Sequence, residues 1–180
     1  MTQFNDWISA VQTMKLPRYH DLPRIQYYSD QVVDFVNDAL SPLFGAGQKP
    51  LTASMINNYV KQKMMPPPVK KRYSNDHVAF VITITILKQV VSIPSIVEGI
   101  RLVREEFGKE KAYDVFIDFI EEGVNNVIAQ THEINFVPID NKPIVSTLIP
   151  MKASSMAFAA KLVAEKSLID ILNNEEEGKI

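Results

Sequence analysis

The sequence contains no cysteine, which excludes disulfides, thiolate metal sites and cysteine nucleophiles. Only three histidines occur, His20, His77 and His132, and their wide separation does not favour a histidine-rich metal site. Glycine is scarce, 6 residues in all, and none forms a phosphate-cradling loop. Long apolar runs are also missing. The longest, 78–87, includes Thr83 and Thr85 and ends at Lys88, short of the roughly 20 residues a transmembrane helix needs. The first residues, MTQFNDWISAVQTMK, carry an acid and an amphipathic pattern but neither a basic n-region nor a small-residue cleavage site. A secretory signal is not expected, and a cytoplasmic protein is.

What is present suits a globular domain. Apolar residues make up 46% and charged residues 22% of the 180, near the average for a soluble chain that can bury a core without staples. Phe4, Trp7, Ile8, Val11 and Met14 share one face of a helix over 3–15. Ser29 is an N-cap candidate, and Val32, Val33, Val36, Leu40 and Phe44 continue as a buried stripe until Pro42 and Gly45-Ala46-Gly47 end or bend the helix. Thr52 caps a shorter helix to about Lys63, with Ile56, Tyr59, Val60 and Met64 on its apolar side.

Pro66-Pro67-Pro68 forbids continuation of that helix. Residues 69–73 read as one short strand or as the return strand of a tight ribbon. Ser74 caps the next segment. Its Val, Ile and Thr at 81–86 favour strand by propensity, whereas its length and start signal favour a buried helix over 78–91, the expectation adopted. A short helix from Pro94 and a long one over 109–130 follow. Prolines at 138, 143 and 150 predict an extended or irregular segment over 134–150. A last helix is expected over 154–173, before a solvated EEEGKI tail.

The net charge of −2 hides an uneven distribution. Residues 49–75 carry six basic and no acidic side chains: Lys49, Lys61, Lys63, Lys70, Lys71 and Arg72. The remainder of the chain therefore carries a charge of −8. A DNA-binding surface needs several cations on one face to displace counterions from phosphates. It also needs an element narrow enough for a major groove about 12 Å wide. Asn57 and Asn58 suit base edges, adenine above all, and Ser54 and Lys61 suit phosphates or bases. The plainer reading is a solvated face that aids solubility. Asp114, Asp118, Glu121 and Glu122 recur at helical spacing but lack the Glu-x-x-His partner of a di-metal bundle, so they read as a solvated face too. Trp7 and the methionines read as core, Tyr27-Tyr28 as one packed and one exposed ring, and His77 as a partly exposed structural residue.

The stretch TASMINNYVKQKMMPPP followed by KRYSNDHV resembles the winged helix-turn-helix of MerR-type regulators, over about 29–103. Tyr59 matches an aromatic of the recognition helix, Met64-Met65-Pro66 the apolar pair and proline, Lys71 and Tyr73-Ser74 the end of the wing, and Ile93-Pro94-Ser95-Ile96 the helix that follows. The whole chain also resembles an uncharacterised Firmicutes family, a domain of unknown function. Asn57-Asn58 replaces the usual Arg-Tyr, Lys63 stands where a glycine ends the recognition helix, and the triple proline replaces a longer hairpin. The thiolate ligands of the metal sensors are absent.

The resemblance implies a mainly α fold. It has an N-terminal helix and connector over 1–28, a winged helix-turn-helix with a short wing over 29–104, and a helical dimerisation or regulatory region over 105–180. It implies a transcriptional regulator that binds double-stranded DNA as a homodimer, without membrane attachment, catalysis, cofactor or metal, its effector unspecified. The expected DNA-binding residues are Thr52, Ser54, Asn57, Asn58, Lys61, Lys70, Lys71, Arg72 and Tyr73. The alternative is a helix-turn-helix scaffold whose basic face meets an acidic protein. An enzyme ranks last, since no Ser/His/Asp set, phosphate loop or metal spacing is present.

Overall fold

The structure is a computed structural model that describes residues 3–45, 47–131 and 143–177. It is mainly helical: α1 Gln3–Thr13, α2 Ser29–Ala39, α3 Ser41–Phe44, α4 Ala53–Lys61, α5 Asn75–Leu87, α6 Ile93–Phe107, α7 Lys109–Thr131 and α8 Ile149–Glu177. Single 3₁₀ turns occupy Tyr19–Asp21 and Ser146–Leu148. Among the described residues β-pairing is confined to two isolated bridges, Tyr27 with Tyr73 and Val69 with Arg72.

Helix α5 is the centre of the molecule. Every side chain from Val78 to Leu87 is buried, so the helix is apolar on all sides, as a core helix must be. Its β-branched residues are compatible with a helix here because α2, α6, α7 and α8 all pack around it, and burial outweighs the few tenths of a kcal/mol per residue lost to propensity. Ser74 is its N-cap. The backbone N–H of Ser74 donates to His77 Nδ1 at 3.1 Å, and Thr83 returns its hydroxyl proton to the Ala79 carbonyl at 2.9 Å. The helix stops at Leu87 rather than at 91. Val90 and Val91 fold back to the Leu87 carbonyl, which turns the chain into α6.

Several boundaries differ from the sequence expectation. The N-cap of α2 is Tyr28, not Ser29, because the Gln31 side chain accepts the Tyr28 N–H at 3.0 Å and closes the first turn. The stripe over 32–44 is split at Leu40 into α2 and α3, and Gly45 leaves α3 at φ 106°. Of the segment 134–150, expected to be extended, residues 134–142, with Pro138, lie outside the described residues. Pro150 is the second residue of α8, where a helix tolerates proline since that N–H has no acceptor anyway. Helix α8 thus begins earlier and ends later than expected, reaching into the acidic tail. His132, Ala46 and residues 178–180 lie outside the described residues.

Helices α7 and α8 form the longest packed pair. Gly123 faces α8 with room for a methyl and little more: a Cβ there would meet the Ala159 Cβ and the Ser155 carbonyl, each at 3.4 Å. The carboxylates of α7 are not merely solvated, contrary to the sequence expectation. Arg18 bridges Asp118 at 2.9 Å and Glu121 at 2.8 Å. The Tyr19 N–H donates to Asp114 at 2.7 Å, the Leu16 N–H donates to Glu121 at 2.8 Å, and Glu122 meets Lys152 at 3.3 Å. The acidic side of α7 is a clasp for the connector after α1. Trp7 is half-buried, and its indole N–H donates to the Pro42 carbonyl at 3.0 Å.

Candidate nucleic-acid interface

Helix α4 starts where Thr52 Oγ1 accepts the Met55 N–H at 3.3 Å, so Thr52 acts as an N-cap. Ile56 and Tyr59 are buried. Their burial turns Ser54, Asn57, Asn58 and Lys61, all exposed, to the opposite side at i, i+3, i+4 and i+7. The two asparagines are not equivalent. Asn58 Oδ1 accepts from Gln62 Nε2 at 2.9 Å, whereas no hydrogen bond engages the Asn57 side chain among the described residues.

The helix ends in a Schellman motif. Met64 N–H donates to the Tyr59 carbonyl at 2.9 Å and Lys63 N–H to the Val60 carbonyl at 3.0 Å. Lys63 occupies the left-handed position, φ 57°, that glycine usually fills. After the three prolines the chain reverses in two residues. Val69 and Arg72 exchange backbone hydrogen bonds at 3.2 and 2.9 Å, and Lys70 and Lys71 lie between them at φ 50° and 62°. Positive φ at both central positions is the signature of a type I′ hairpin turn, which favours Asn-Gly. Three lysines therefore sit in a backbone region that costs an L-residue about 1–2 kcal/mol each. Their lysine identity is not explained by local geometry, and all three lie in the basic window and are exposed.

The hairpin is fixed to the rest of the fold through Tyr73. Tyr73 is 4% exposed, pairs through its backbone with Tyr27 and meets the His77 ring edge-on at 5.5 Å between centroids. His77 Nε2 lies 3.2 Å from the Pro66 carbonyl, so this histidine joins the proline segment to the cap of α5. Burial pushes the Tyr73 phenol up from its ordinary pKa. Tyr28 takes the exposed role of its pair: the Arg72 guanidinium stacks over its ring at 4.1 Å and also donates to the Gln26 carbonyl at 3.3 Å.

These elements enclose one surface groove of about 410 Å³. Its walls are Tyr28 and Ser29 at the start of α2, Asn57, Val60 and Lys61 of α4, and Pro68, Lys71 and Tyr73 of the hairpin. Of the residues expected to contact DNA, Asn57, Lys61, Lys71 and Tyr73 line this groove. Ser54, Asn58, Lys70 and Arg72 are exposed outside its lining. Thr52 is spent on capping, and Tyr73 is buried. Among the described residues no ion pair involves Lys61, Lys63, Lys70, Lys71 or Arg72. Tyr28 and Ser29, absent from the expected set, join the groove through the Tyr27–Tyr73 bridge, a pairing across 46 residues with no local signal.

A family model described as "Domain of unknown function (DUF1836)" matches residues 17–122, more than half of the chain. The chain belongs to this family. No curated protein and no solved structure matches it. The DUF1836 span opens at the connector and closes within α7, and the Arg18–Glu121 ion pair joins its two ends at 2.8 Å. The span contains the whole groove. It leaves out α1 and α8. No group of side chains able to hold a metal ion occurs among the described residues, and no helix among them is long and apolar enough to cross a membrane.

Proposed function

We propose that this DUF1836 protein is a transcriptional regulator that binds double-stranded DNA through a helix-turn-helix and a short basic wing of MerR-like kind. Helix α4 is the recognition helix, and the Val69–Arg72 hairpin is the wing. One observation carries the reading: Asn57 and Lys61 of the helix and Lys71 of the hairpin face one groove, with unpaired lysines at its rim. In this reading Asn57 reads a base edge, and Lys61, Lys70, Lys71 and Arg72 neutralise phosphates. The strained lysines support it, since backbone strain is retained where side-chain placement matters.

The C-terminal half of α8 supports a homodimer. Leu168, Ile169, Ile171 and Leu172 are each half exposed on a helix whose first half is packed against α7. A second copy covering them would present two recognition helices to half-sites about 34 Å apart. Sedimentation of the full chain at micromolar concentration tests this, with a dimer expected.

The DNA experiment is selection of bound genomic fragments followed by a salt titration. With four to six phosphates neutralised per protomer, a dimer meets eight to twelve, and log affinity should fall against log salt with a slope of roughly −7 to −11. Absence of any enriched fragment, together with capture of an acidic protein by the same face, would make the groove a protein-docking surface instead.

A further inference from the structure

A second cavity, which shares no lining residue with the basic groove, lies between α5, α6 and α7, with Tyr19 and, from α8, Met151 also in its lining. Its interior is apolar, lined by Ala79, Phe80, Ile100, Val103 and Phe116. Its polar side is formed by Tyr19, Asp76, Arg104 and Lys109, of which Arg104 and Lys109 are exposed and mark the mouth. The enclosed space is about 40 Å³. On that measure one water needs about 10–15 Å³, and a dry cavity that admits benzene measures about 150 Å³. The interior therefore excludes an aromatic ring and accommodates about three methyl-sized groups.

The charges at the mouth select the sign of a guest. The Asp76 carboxylate is occupied, since it accepts from the Tyr19 hydroxyl and from Lys109 Nζ at 3.1 Å. Arg104 is exposed and has no ion pair among the described residues. One Asp, one Lys and one Arg leave the mouth with a net positive charge beside a low-dielectric wall, where an anion is attracted and a cation repelled.

We propose that this cavity binds a short-chain aliphatic monocarboxylate, with its carboxylate at Arg104 and Lys109 and its branched tail between Phe80, Ile100 and Phe116. The apolar interior rejects dicarboxylates and sugars, and the small volume rejects aromatic acids. The site is separate from the basic groove and does not depend on DNA binding.

Isobutyrate is the probe, because its tail is three carbons. The full chain, labelled with nitrogen-15, is titrated at constant ionic strength with sodium isobutyrate, isobutanol and isobutylamine. The expected result is saturable shifts of amides around Thr83, Ile100 and Tyr113 with isobutyrate, at a dissociation constant of roughly 1–10 mM for so small a ligand, and weaker or no binding of the alcohol and the amine. Arg104→Gln changes an exposed side chain and keeps the fold. It should weaken isobutyrate at least about fivefold and leave the response to isobutanol unchanged. Linear, non-saturating shifts, equal binding of alcohol and acid, or an unchanged constant in R104Q would each overturn the assignment.

Discussion

Tyr27 and Tyr73 exchange both backbone hydrogen bonds, at 2.9 and 2.7 Å, and so tie the lead-in of α2 to the end of the hairpin. This pairing brings Tyr28 and Ser29 to the groove that α4 and Lys71 complete. The bridge residue Tyr73 and its neighbour Tyr28 differ in burial: Tyr73 is 4% and Tyr28 46% exposed. Tyr73→Ala should therefore cost about 3–5 kcal/mol, as for a large buried side chain. Tyr28→Ala should cost under about 1 kcal/mol, the worth of an exposed cation–π contact. Urea unfolding of both variants measures the difference, and equal losses would contradict the placement of Tyr73 in the core.

The hairpin tip separates stability from binding. Replacing Lys70-Lys71 with Asn-Gly installs the residues that a type I′ turn prefers. Glycine removes the strain at one position and asparagine lessens it at the other, which should raise stability by about 1–2 kcal/mol. The same change removes two cations from each protomer, and the salt dependence of DNA binding by the dimer should flatten by roughly 3.6. Melting temperature and affinity should move in opposite directions.

Asn57 and Asn58 should respond differently. Asn57→Ala removes a side chain without a partner in the groove, and it should relax specificity at one base position by about 1–3 kcal/mol. Asn58→Ala removes a side chain already engaged with Gln62 and should change specificity less. Lys71→Ala should weaken all sequences alike. Binding-site selection with each variant gives the three patterns.

Gly123 packs directly against Ser155, Met156 and Ala159 of α8. Gly123→Leu forces a side chain against Ala159 and the Ser155 carbonyl, which should cost about 1–3 kcal/mol as an overpacked core position does. Gly123→Ala gains helix propensity of about 1 kcal/mol, and this offsets its tighter contact. Thermal unfolding of the pair should show a large loss for leucine and little change for alanine.

Asp76 makes stability depend on pH. Burial pushes its carboxyl up, but the Tyr19 hydroxyl, the Lys109 ammonium and the Arg104 charge outweigh burial and hold it below the ordinary carboxylate range. A carboxyl depressed in the folded state contributes stability that is full above its unfolded pKa, about 3.9. That contribution is lost as pH falls through the folded value. Asp76→Asn should therefore be destabilised relative to the native chain at pH 7, and the gap should close as pH drops below about 4. Chemical denaturation across that range checks it, and a gap constant with pH would remove the ionic contribution.

Much of the helical order is legible along the chain. Caps at Thr52 and Ser74, the proline breaks, and the apolar spacing of α1, α4 and α7 are local signals, set by backbone hydrogen bonding and side-chain period. The basic window is legible as well, because charge is counted without a fold. The residues that share a face of α4 follow from helical spacing alone. What the sequence could not determine depends on contacts distant along the chain. The carboxylates of α7 read as solvated until Arg18, about 100 residues earlier, folds across them. Lys70 and Lys71 read as ordinary cations until the hairpin puts both in the left-handed region. The burial of Tyr73 rests on its pairing with Tyr27, 46 residues earlier, for which the chain carries no local signal. Local signals set which segments are helical. Only tertiary packing decided which side chains remained free, because freedom depends on what the rest of the chain brings against each of them.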